Sequence, residues 1–113
     1  MPYVHLRTDR RLDENALREL RQAILEDLAQ YLSKPSARCM VQIDAAQCIA
    51  MGDGEAGCAF AEIRVQGRLD AAASDVFAAA FKQDVAAHLA LKTARVYLQV
   101  LETQNGEVWG SIY

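Results

Sequence analysis

The segment Ser36-Ala37-Arg38-Cys39-Met40-Val41-Gln42-Ile43 recurs 57 positions later as Thr93-Ala94-Arg95-Val96-Tyr97-Leu98-Gln99-Val100. The same offset, without a gap, matches Arg11-Leu12-Asp13 with Arg68-Leu69-Asp70. An offset that is kept along the chain is typical of one structural unit used twice. The sequence therefore predicts two copies of a single unit.

Each copy is predicted to contain a strand, a helix and a second strand. Residues 2–8 and 58–66 are rich in β-branched or aromatic side chains and roughly alternating, which indicates the opening strands. Asp13 and Asp70 can then cap the helices that follow. Strands at 38–44 and 95–102 complete the units.

The two predicted helices are amphipathic, with apolar residues at every third or fourth position. In the first helix, from Glu14 to about Ser33, the charged residues between these positions, Asp27 among them, are expected to face solvent. The second helix is predicted from about Ala71 to Leu91. The predicted core-facing stripes are Leu17, Leu20, Ile24, Leu28 and Leu32 in the first helix, and Val76, Phe77, Ala80, Phe81, Val85 and Leu89 in the second.

A strand-helix-strand unit with one long crossover places its two strands parallel. Two such units, at about residues 2–44 and 58–102, predict an α+β fold within a single domain spanning residues 1–113. Its four-stranded sheet would carry both helices on one face. Because no helix is left to cover the other face, a second layer from another subunit is expected.

The composition favours a cytoplasmic protein without nucleic-acid or membrane partners. The formal charge of -3 is spread along 113 residues in no block of one sign. No apolar run approaches ~18 residues, and the N-terminus lacks the basic-then-apolar pattern of a secretory signal. The three cysteines and two histidines lack the spacing of metal ligands, so the cysteines are expected to be reduced packing residues.

Pro2 begins the first predicted strand, and its amine is a candidate catalytic base. If Met1 is removed, Pro2 carries a free secondary amine, and the ordinary pKa of an α-amino group is ~7.7–8.0. Burial or a nearby cation disfavours the protonated form and lowers that pKa. The amine would then be neutral and able to accept a proton. A retained Met1 would acylate Pro2 and remove the base.

The combined pattern resembles the tautomerase superfamily, specifically the branch that contains macrophage migration inhibitory factor and D-dopachrome tautomerase. The resemblance covers essentially the whole chain. It rests on the two repeats, the strand led by Pro2, Lys34-Pro35 after the first helix, Arg95-Val96-Tyr97 at the last long strand, and Val108-Trp109 near the end. It implies a homotrimer with active sites at subunit boundaries, a small anionic α-keto acid as substrate, and no cofactor.

The resemblance also implies roles for individual residues. The implied catalytic residues are Pro2, Lys34 and Tyr97. Pro2 is the base, Lys34 binds the substrate carboxylate and lowers the proline pKa, and Tyr97 comes from the neighbouring subunit. The other implied substrate-binding residues are Gln66, through its backbone N–H, and Arg38, Gln99, Met51, Val108, Trp109 and Tyr113. The family's isoleucine, tyrosine, asparagine and aromatic residue are replaced at Gln66, Arg38, Gln99 and Met51, respectively, which leaves the substrate open.

The implied activity is keto-enol tautomerisation of small α-keto acids such as phenylpyruvate. Within the same superfamily, a proline base with arginines can instead activate water for dehalogenation or decarboxylation, and Arg38, Arg64 and Arg68 keep that alternative open. A non-catalytic signalling or binding trimer is the third reading. A blocked Pro2, or a pocket closed by Met51 and Tyr113, would favour it.

Overall fold

The computed structural model describes residues 2–103; Met1 and residues 104–113, with the predicted site residues Val108, Trp109 and Tyr113, lie outside the described range. The order of elements is strand, helix, strand, repeated once, which confirms the predicted repeat. The elements are β1 (Tyr3–Thr8), α1 (Glu14–Leu32), β2 (Met40–Asp44), β3 (Ala59–Gln66), α2 (Ala71–Leu89) and β4 (Val96–Thr103). No helix within residues 2–103 is both long and apolar enough to cross a membrane.

The four strands form one mixed sheet in the order β2-β1-β3-β4. Each unit contributes a parallel pair, β1 with β2 and β3 with β4, as the crossover argument predicts. The two units meet through β1 and β3, which are antiparallel and pair Tyr3 with Arg64. The two units therefore run in opposite directions, and equivalent positions of the two copies lie at opposite ends of the sheet.

The core lies between one face of the sheet and the two helices. Burial alternates along the central strands, so that Val4, Leu6 and Ile63 point into the core. Phe77 and Phe81 of α2 are fully buried, with ring centroids 5.6 Å apart. Both helices thus cover the same face, and the opposite face carries no helix of the described chain.

Two expectations about helix faces are wrong. Val76, predicted on the core stripe, is 55% exposed. Adjacent helix positions point about 100° apart, and the larger neighbour Phe77 takes the buried direction. Asp27, expected to face solvent, is only 6% exposed. It lies beside Asp84 of the other helix, whose carboxyl contributes to raising the pKa of Asp27.

The closing strands begin later than the sequence predicts. Residues 36–38 and 93–95 form short 3-10 turns, and β2 and β4 begin only at Met40 and Val96. In these turns the N–H of Arg38 donates to Pro35 (3.0 Å) and that of Arg95 donates to Lys92 (2.9 Å). The α2 helix also ends at Leu89 rather than Leu91. The short turns before the closing strands occur in both copies, and the end of α2 moves by two residues. Neither difference changes the topology.

Gly57→Ala is expected to lower the free energy of unfolding by about 2–3 kcal/mol. Gly57 has φ +94, and a Cβ there would lie 2.7 Å from both the Arg10 guanidinium and the Leu91 side chain. Gly54→Ala is the matched control, because Gly54 has φ +76 but open space around it. Urea unfolding of both variants at one protein concentration separates backbone strain from steric contact. Equal losses would contradict the steric argument.

Candidate active site

Pro2 is buried at the N-terminal end of β1. Its carbonyl accepts the N–H of Met40 (3.0 Å), which places it beside the start of β2. Alternation along β1 puts Pro2 on the same face as Val4 and Leu6, the face covered by the helices. A free amine at this position would therefore be partly desolvated, which is one of the conditions that lower its pKa.

Lys34 lies two residues past the end of helix α1. Ser33 adopts the left-handed conformation (φ 55), and the N–H of Lys34 donates to the carbonyl of Leu28 (3.1 Å). Lys34 is half-buried. Burial raises the pKa of the Cys39 thiol, and the charge of Lys34 acts on the same thiol in the opposite direction. Since Cys39 precedes Met40, whose N–H bonds to the Pro2 carbonyl, this places a cation at the end of the sheet where the candidate base lies.

Arg38 and Gln66 complete the group at this end of the sheet. Arg38 closes the 3-10 turn before β2, is exposed, and makes no side-chain hydrogen bond within the part of the chain that the structure describes. Gln66 is the last residue of β3, and the antiparallel pairing with β1 brings that end of β3 to Pro2. We call this group, formed by Pro2, Lys34, Arg38 and Gln66, the Pro2 corner.

The chain also leaves β4 at this end. Gln66 pairs with Thr103, and the N–H of Gly67 donates to the carbonyl of Thr103 (2.8 Å). Strand β4 therefore ends beside the Pro2 corner. The predicted wall residues Val108, Trp109 and Tyr113 lie outside the described range, and their roles stay predictions.

Tyr97 lies at the opposite end of the sheet. It pairs with Phe60, which in turn pairs with Arg7 near the end of β1. Phe60 and Arg64 are four residues apart on β3, a rise of about 13 Å. Tyr97 is also 57% exposed on the face without helices, whereas Pro2 is on the helix-covered face. Within one chain, Tyr97 cannot reach Pro2.

Tyr97 and Met51, both predicted site residues, line one cavity of about 230 Å³. Gln99, two positions farther along β4, is exposed on the same sheet face. The cavity lies between the 49–52 segment and the first residues of β3 and β4, and its wall includes Ile49, Met51, Cys58, Phe60, Arg95 and Tyr97. We call it the Tyr97 cavity. The predicted site is thus divided into two groups that a single chain keeps apart.

Of the residues that line the Tyr97 cavity, the sequence predicts only Met51 and Tyr97, and Phe60 and Arg95 are the largest side chains that it does not assign to the site. Phe60 is next to Tyr97 through the parallel register of β3 and β4, which the sequence pattern did not supply. In the sequence, Arg95 is the equivalent of Arg38 and part of the Arg95-Val96-Tyr97 motif, and neither pattern indicates a contact with the loop. In the structure, Arg95 bonds to the loop that forms the cavity wall, and Arg38 does not have such contacts within residues 2–103.

A network of polar side chains crosses the middle of the uncovered sheet face. His5 Nε2 lies 2.7 Å from Asp44, and Arg7 contacts His5 Nδ1 (2.9 Å) and Glu62 (2.7 Å). Arginine can only donate, so Nδ1 accepts and Nε2–H donates to Asp44. The hydrogen bonds from His5 and Arg7 lower the pKa of Asp44 and Glu62, respectively. Both ring nitrogens of His5 are therefore engaged, and His5 is not available as a base in this arrangement.

Exposed apolar side chains lie at the two ends of this face. Met40, at the start of β2, is 67% exposed, and Tyr97, at the start of β4, is 57% exposed. Neither end shows a metal site, since no group of three or more His, Cys, Asp or Glu side chains within residues 2–103 is arranged to hold an ion. The uncovered face thus has a paired polar centre between two apolar ends.

Two parallel β-α-β units joined antiparallel, with both helices on one face, define a tautomerase-type fold. The chain belongs to the macrophage migration inhibitory factor (MIF) family, whose sequence model matches residues 1–111. No curated protein sequence is significantly similar to the chain in a direct comparison.

Several solved structures share this fold. Leishmania major MIF2 has a TM-score of 0.87 at 16% identity, covering 97% of this chain and 94% of that one. The MIF homologue from Prochlorococcus marinus has a TM-score of 0.85 at 16% identity, covering 97% and 95%. Pt0534, solved after inactivation by 2-oxo-3-pentynoate, has a TM-score of 0.84 at 14% identity, covering 97% and 94%. At these identities the likeness shows a shared fold.

Proposed function

We propose that this protein is a keto-enol tautomerase for small α-keto acids, with Pro2 as general base and phenylpyruvate-like compounds as substrates. The observation that carries the proposal is the burial of Pro2 beside the half-buried Lys34. Membership of the MIF family supports a tautomerase-type function in general. Pt0534 is inactivated by 2-oxo-3-pentynoate, itself an α-keto acid, which favours this substrate class here.

In the proposed reaction, neutral Pro2 takes a proton from the carbon next to the substrate carbonyl. The C–H electron pair forms the C=C bond, the carbonyl electrons move to oxygen, and the proton returns at oxygen or carbon. Lys34 and Arg38 would hold the carboxylate. The Gln66 N–H and Tyr97 would stabilise the enolate, whose developing charge requires preorganised donors.

The proposed assembly is a homotrimer, because the site is incomplete within one chain. The Pro2 corner and the Tyr97 cavity lie at opposite ends of the sheet and on opposite faces. Contacts between the exposed Met40 end of one copy and the Tyr97 end of the next would be head to tail, and such contacts form a ring when the rotation between copies closes, as in a trimer with threefold symmetry. Each ring contact would join one Pro2 corner to one Tyr97 cavity.

Mixed trimers test this assembly directly. Refolding Pro2→Ala chains together with Tyr97→Ala chains is expected to restore activity to about one quarter of the sites, since each site takes one end from each of two chains. Pro2→Ala mixed with Lys34→Met is the matched control and should restore nothing, because both residues belong to the same corner of one chain. Restoration in the control, or none in the test mixture, would contradict the composite site.

The function itself is tested by ketonisation of enol-phenylpyruvate, monitored by absorbance, with protein whose intact mass shows that Met1 is absent. We expect enzyme-dependent ketonisation that is saturable and inhibited by unreactive aromatic carboxylates. A processed, folded and trimeric protein without activity would refute the phenylpyruvate-type tautomerase.

The second candidate is hydration chemistry on halogenated acrylates or decarboxylation of malonate semialdehyde. The exposed guanidinium of Arg38 at the Pro2 corner favours it, because an arginine there could bind an anionic substrate. Arg64 pairs instead with Glu62 (3.7 Å) on the uncovered face. Turnover of these compounds with loss in Arg38→Gln, and none of enol-phenylpyruvate, would select this candidate.

A further inference from the structure

Arg95 holds the loop between β2 and β3 against the start of β4. Its side chain is 16% exposed. Nη1 donates to the Asp53 carboxylate (2.8 Å), Nη2 to the carbonyl of Glu55 (3.1 Å), and Nε to the carbonyl of Gly57. We call these hydrogen bonds the Arg95 clamp. The hydrogen bond from Arg95 lowers the pKa of the Asp53 carboxyl, so the ion pair is formed at neutral pH.

The clamp holds one side of a loop whose other side is also fixed. The Asp9 carboxylate accepts the N–H groups of Gly57 (2.9 Å) and Cys58 (3.0 Å). Cys58 is 4% exposed, lines the Tyr97 cavity, and its thiol donates to the carbonyl of Ile49 (3.6 Å). The 49–52 segment is therefore held over the cavity by the bond between Cys58 and Ile49 and by the contacts of Asp53, Glu55 and Gly57, which follow it along the loop.

The clamp connects parts of the chain that are far apart in the sequence. Within residues 2–103 the first copy has no counterpart of it, since Arg38, the equivalent of Arg95, is exposed and makes no side-chain hydrogen bond there. The contacts of Arg95 tie the loop, and the cavity beside it, to the start of β4.

We propose that Arg95 is a positioning residue for the substrate site. Through the clamp it holds the 49–52 segment, with Met51, against Tyr97, and so shapes the half of the site that one copy presents to the Pro2 corner of another. The inference rests on the proposed function, because it takes Met51 and Tyr97 as substrate-binding groups. Arg95 does not contact the substrate; it acts through Asp53, Glu55 and Gly57.

Cys58 reports the position of the loop without any assay of activity. In a Cys39→Ala/Cys48→Ala background, Cys58 is the single thiol, and its rate of reaction with dithionitrobenzoate measures how often the cavity wall opens. Arg95→Gln is expected to raise this rate by about tenfold or more. Asp53→Asn should raise it less, because the bonds to Glu55 and Gly57 remain. Arg21→Gln, an exposed arginine on α1, is the matched control and should not change it.

Kinetics then test whether the clamp positions the substrate site. For enol-phenylpyruvate, Arg95→Gln is expected to raise KM by about 5- to 20-fold and to change kcat by less than about threefold. The clamp holds Met51, a substrate-binding residue, whereas Tyr97 stays fixed on β4 by its pairing with β3 and the base lies on the other copy's corner. Arg95→Lys should be intermediate. A lysine can pair with Asp53, but it cannot reproduce the planar fork that reaches three acceptors. Size-exclusion chromatography of each variant is the check that it keeps the oligomeric state of the wild type.

Unchanged Cys58 reactivity in folded Arg95→Gln would overturn the clamp as a restraint on the loop. If Arg95→Gln speeds the labelling of Cys58 but leaves KM unchanged, or lowers only kcat, the positioning role is overturned. If Arg95→Gln does not fold, Arg95→Lys and Asp53→Asn carry the same test. A processed wild type that is inactive toward enol-phenylpyruvate would refute the proposed function and the positioning role with it, while the Cys58 labelling would still decide whether the clamp holds the loop.

Discussion

Replacing Pro2 with alanine is expected to lower kcat/KM for ketonisation of enol-phenylpyruvate by about 10²- to 10⁴-fold, the usual contribution of a positioned general base. The ring of Pro2 fixes its backbone and is buried on the helix-covered face beside Lys34. An alanine amine lacks the ring, so it is less constrained and better hydrated, and both changes make proton abstraction slower. The measurement is kcat/KM for wild type and variant, with the intact mass of each showing that Met1 is absent.

A chain with one additional alanine before Pro2 is the matched control. It keeps the proline ring and its packing but converts the amine to an amide, which has no basic lone pair. Its activity should fall at least as far as that of Pro2→Ala, because the alanine variant still has an amine at this position. Full activity in the extended chain, while circular dichroism shows it folded, would exclude the proline nitrogen as the base.

The pH dependence of the same reaction tests the role of Lys34. The acidic limb of kcat/KM should report an amine pKa below the ordinary ~7.7–8.0, because burial and a nearby cation both disfavour protonation. Lys34→Met removes the cation and should shift the limb to higher pH. A limb that stays in place would indicate that Lys34 binds the carboxylate without influencing the base.

The repeat predicts most of the fold because the two copies share even the residues that begin and end their helices. Asp13 and Asp70 each cap a helix through a side-chain oxygen, at 2.8 and 3.0 Å from the N–H three residues on. Ser33 and Ala90, again equivalent positions, both end a helix in the left-handed conformation. Hydrophobic period and capping chemistry are local, so one sequence suffices to recognise them twice.

The division of the site could not be predicted, because it depends on how the two units meet. The antiparallel pairing of β1 with β3 places Pro2 and Tyr97 at opposite ends of the sheet. Nothing in the repeated sequence selects that pairing over a parallel one. The role of the loop with Asp53 and Glu55 could not be predicted for a similar reason. Its bonds to Arg95 form only because the fold brings Arg95, which is distant in the sequence, next to the loop.

The repeat indicates a neighbour for Asp27 on the other helix, which the amphipathic pattern of its own helix does not. On its helix Asp27 reads as one more solvent-facing charge, but its equivalent in the second copy is Asp84. The two copies are related by a pseudo-twofold arrangement, and equivalent positions of the two helices can meet where the helices cross. The buried Asp27 beside Asp84 is such a pair, which the amphipathic pattern alone does not reveal.

Asp27→Asn is expected to raise the free energy of unfolding by up to about 4 kcal/mol at pH 8, and by little at pH 4. Asp27 is 6% exposed, and its Oδ2 is buried without a hydrogen-bond partner. Burial, together with the neighbouring carboxyl groups of Asp84 and Glu26, raises the pKa of Asp27 to about 7 from 3.8. Ionising this group in the folded protein is therefore costly, whereas the unfolded chain ionises it freely.

The direction in which stability changes with pH follows from the number of protons bound to the folded and to the unfolded chain. Between about pH 4 and 7 the folded protein keeps a proton that the unfolded chain releases, so wild-type stability falls by about 1.4 kcal/mol per pH unit in this window. Below it both states are protonated, and above it the penalty is constant. An asparagine has no proton to lose and can donate to Asp84, so the slope should disappear in urea titrations at fixed protein concentration. Asp75→Asn removes the same charge at an exposed position on α2 and is the matched control, so its free energy of unfolding should keep the wild-type dependence on pH. If that dependence survives in Asp27→Asn, another group is responsible for it.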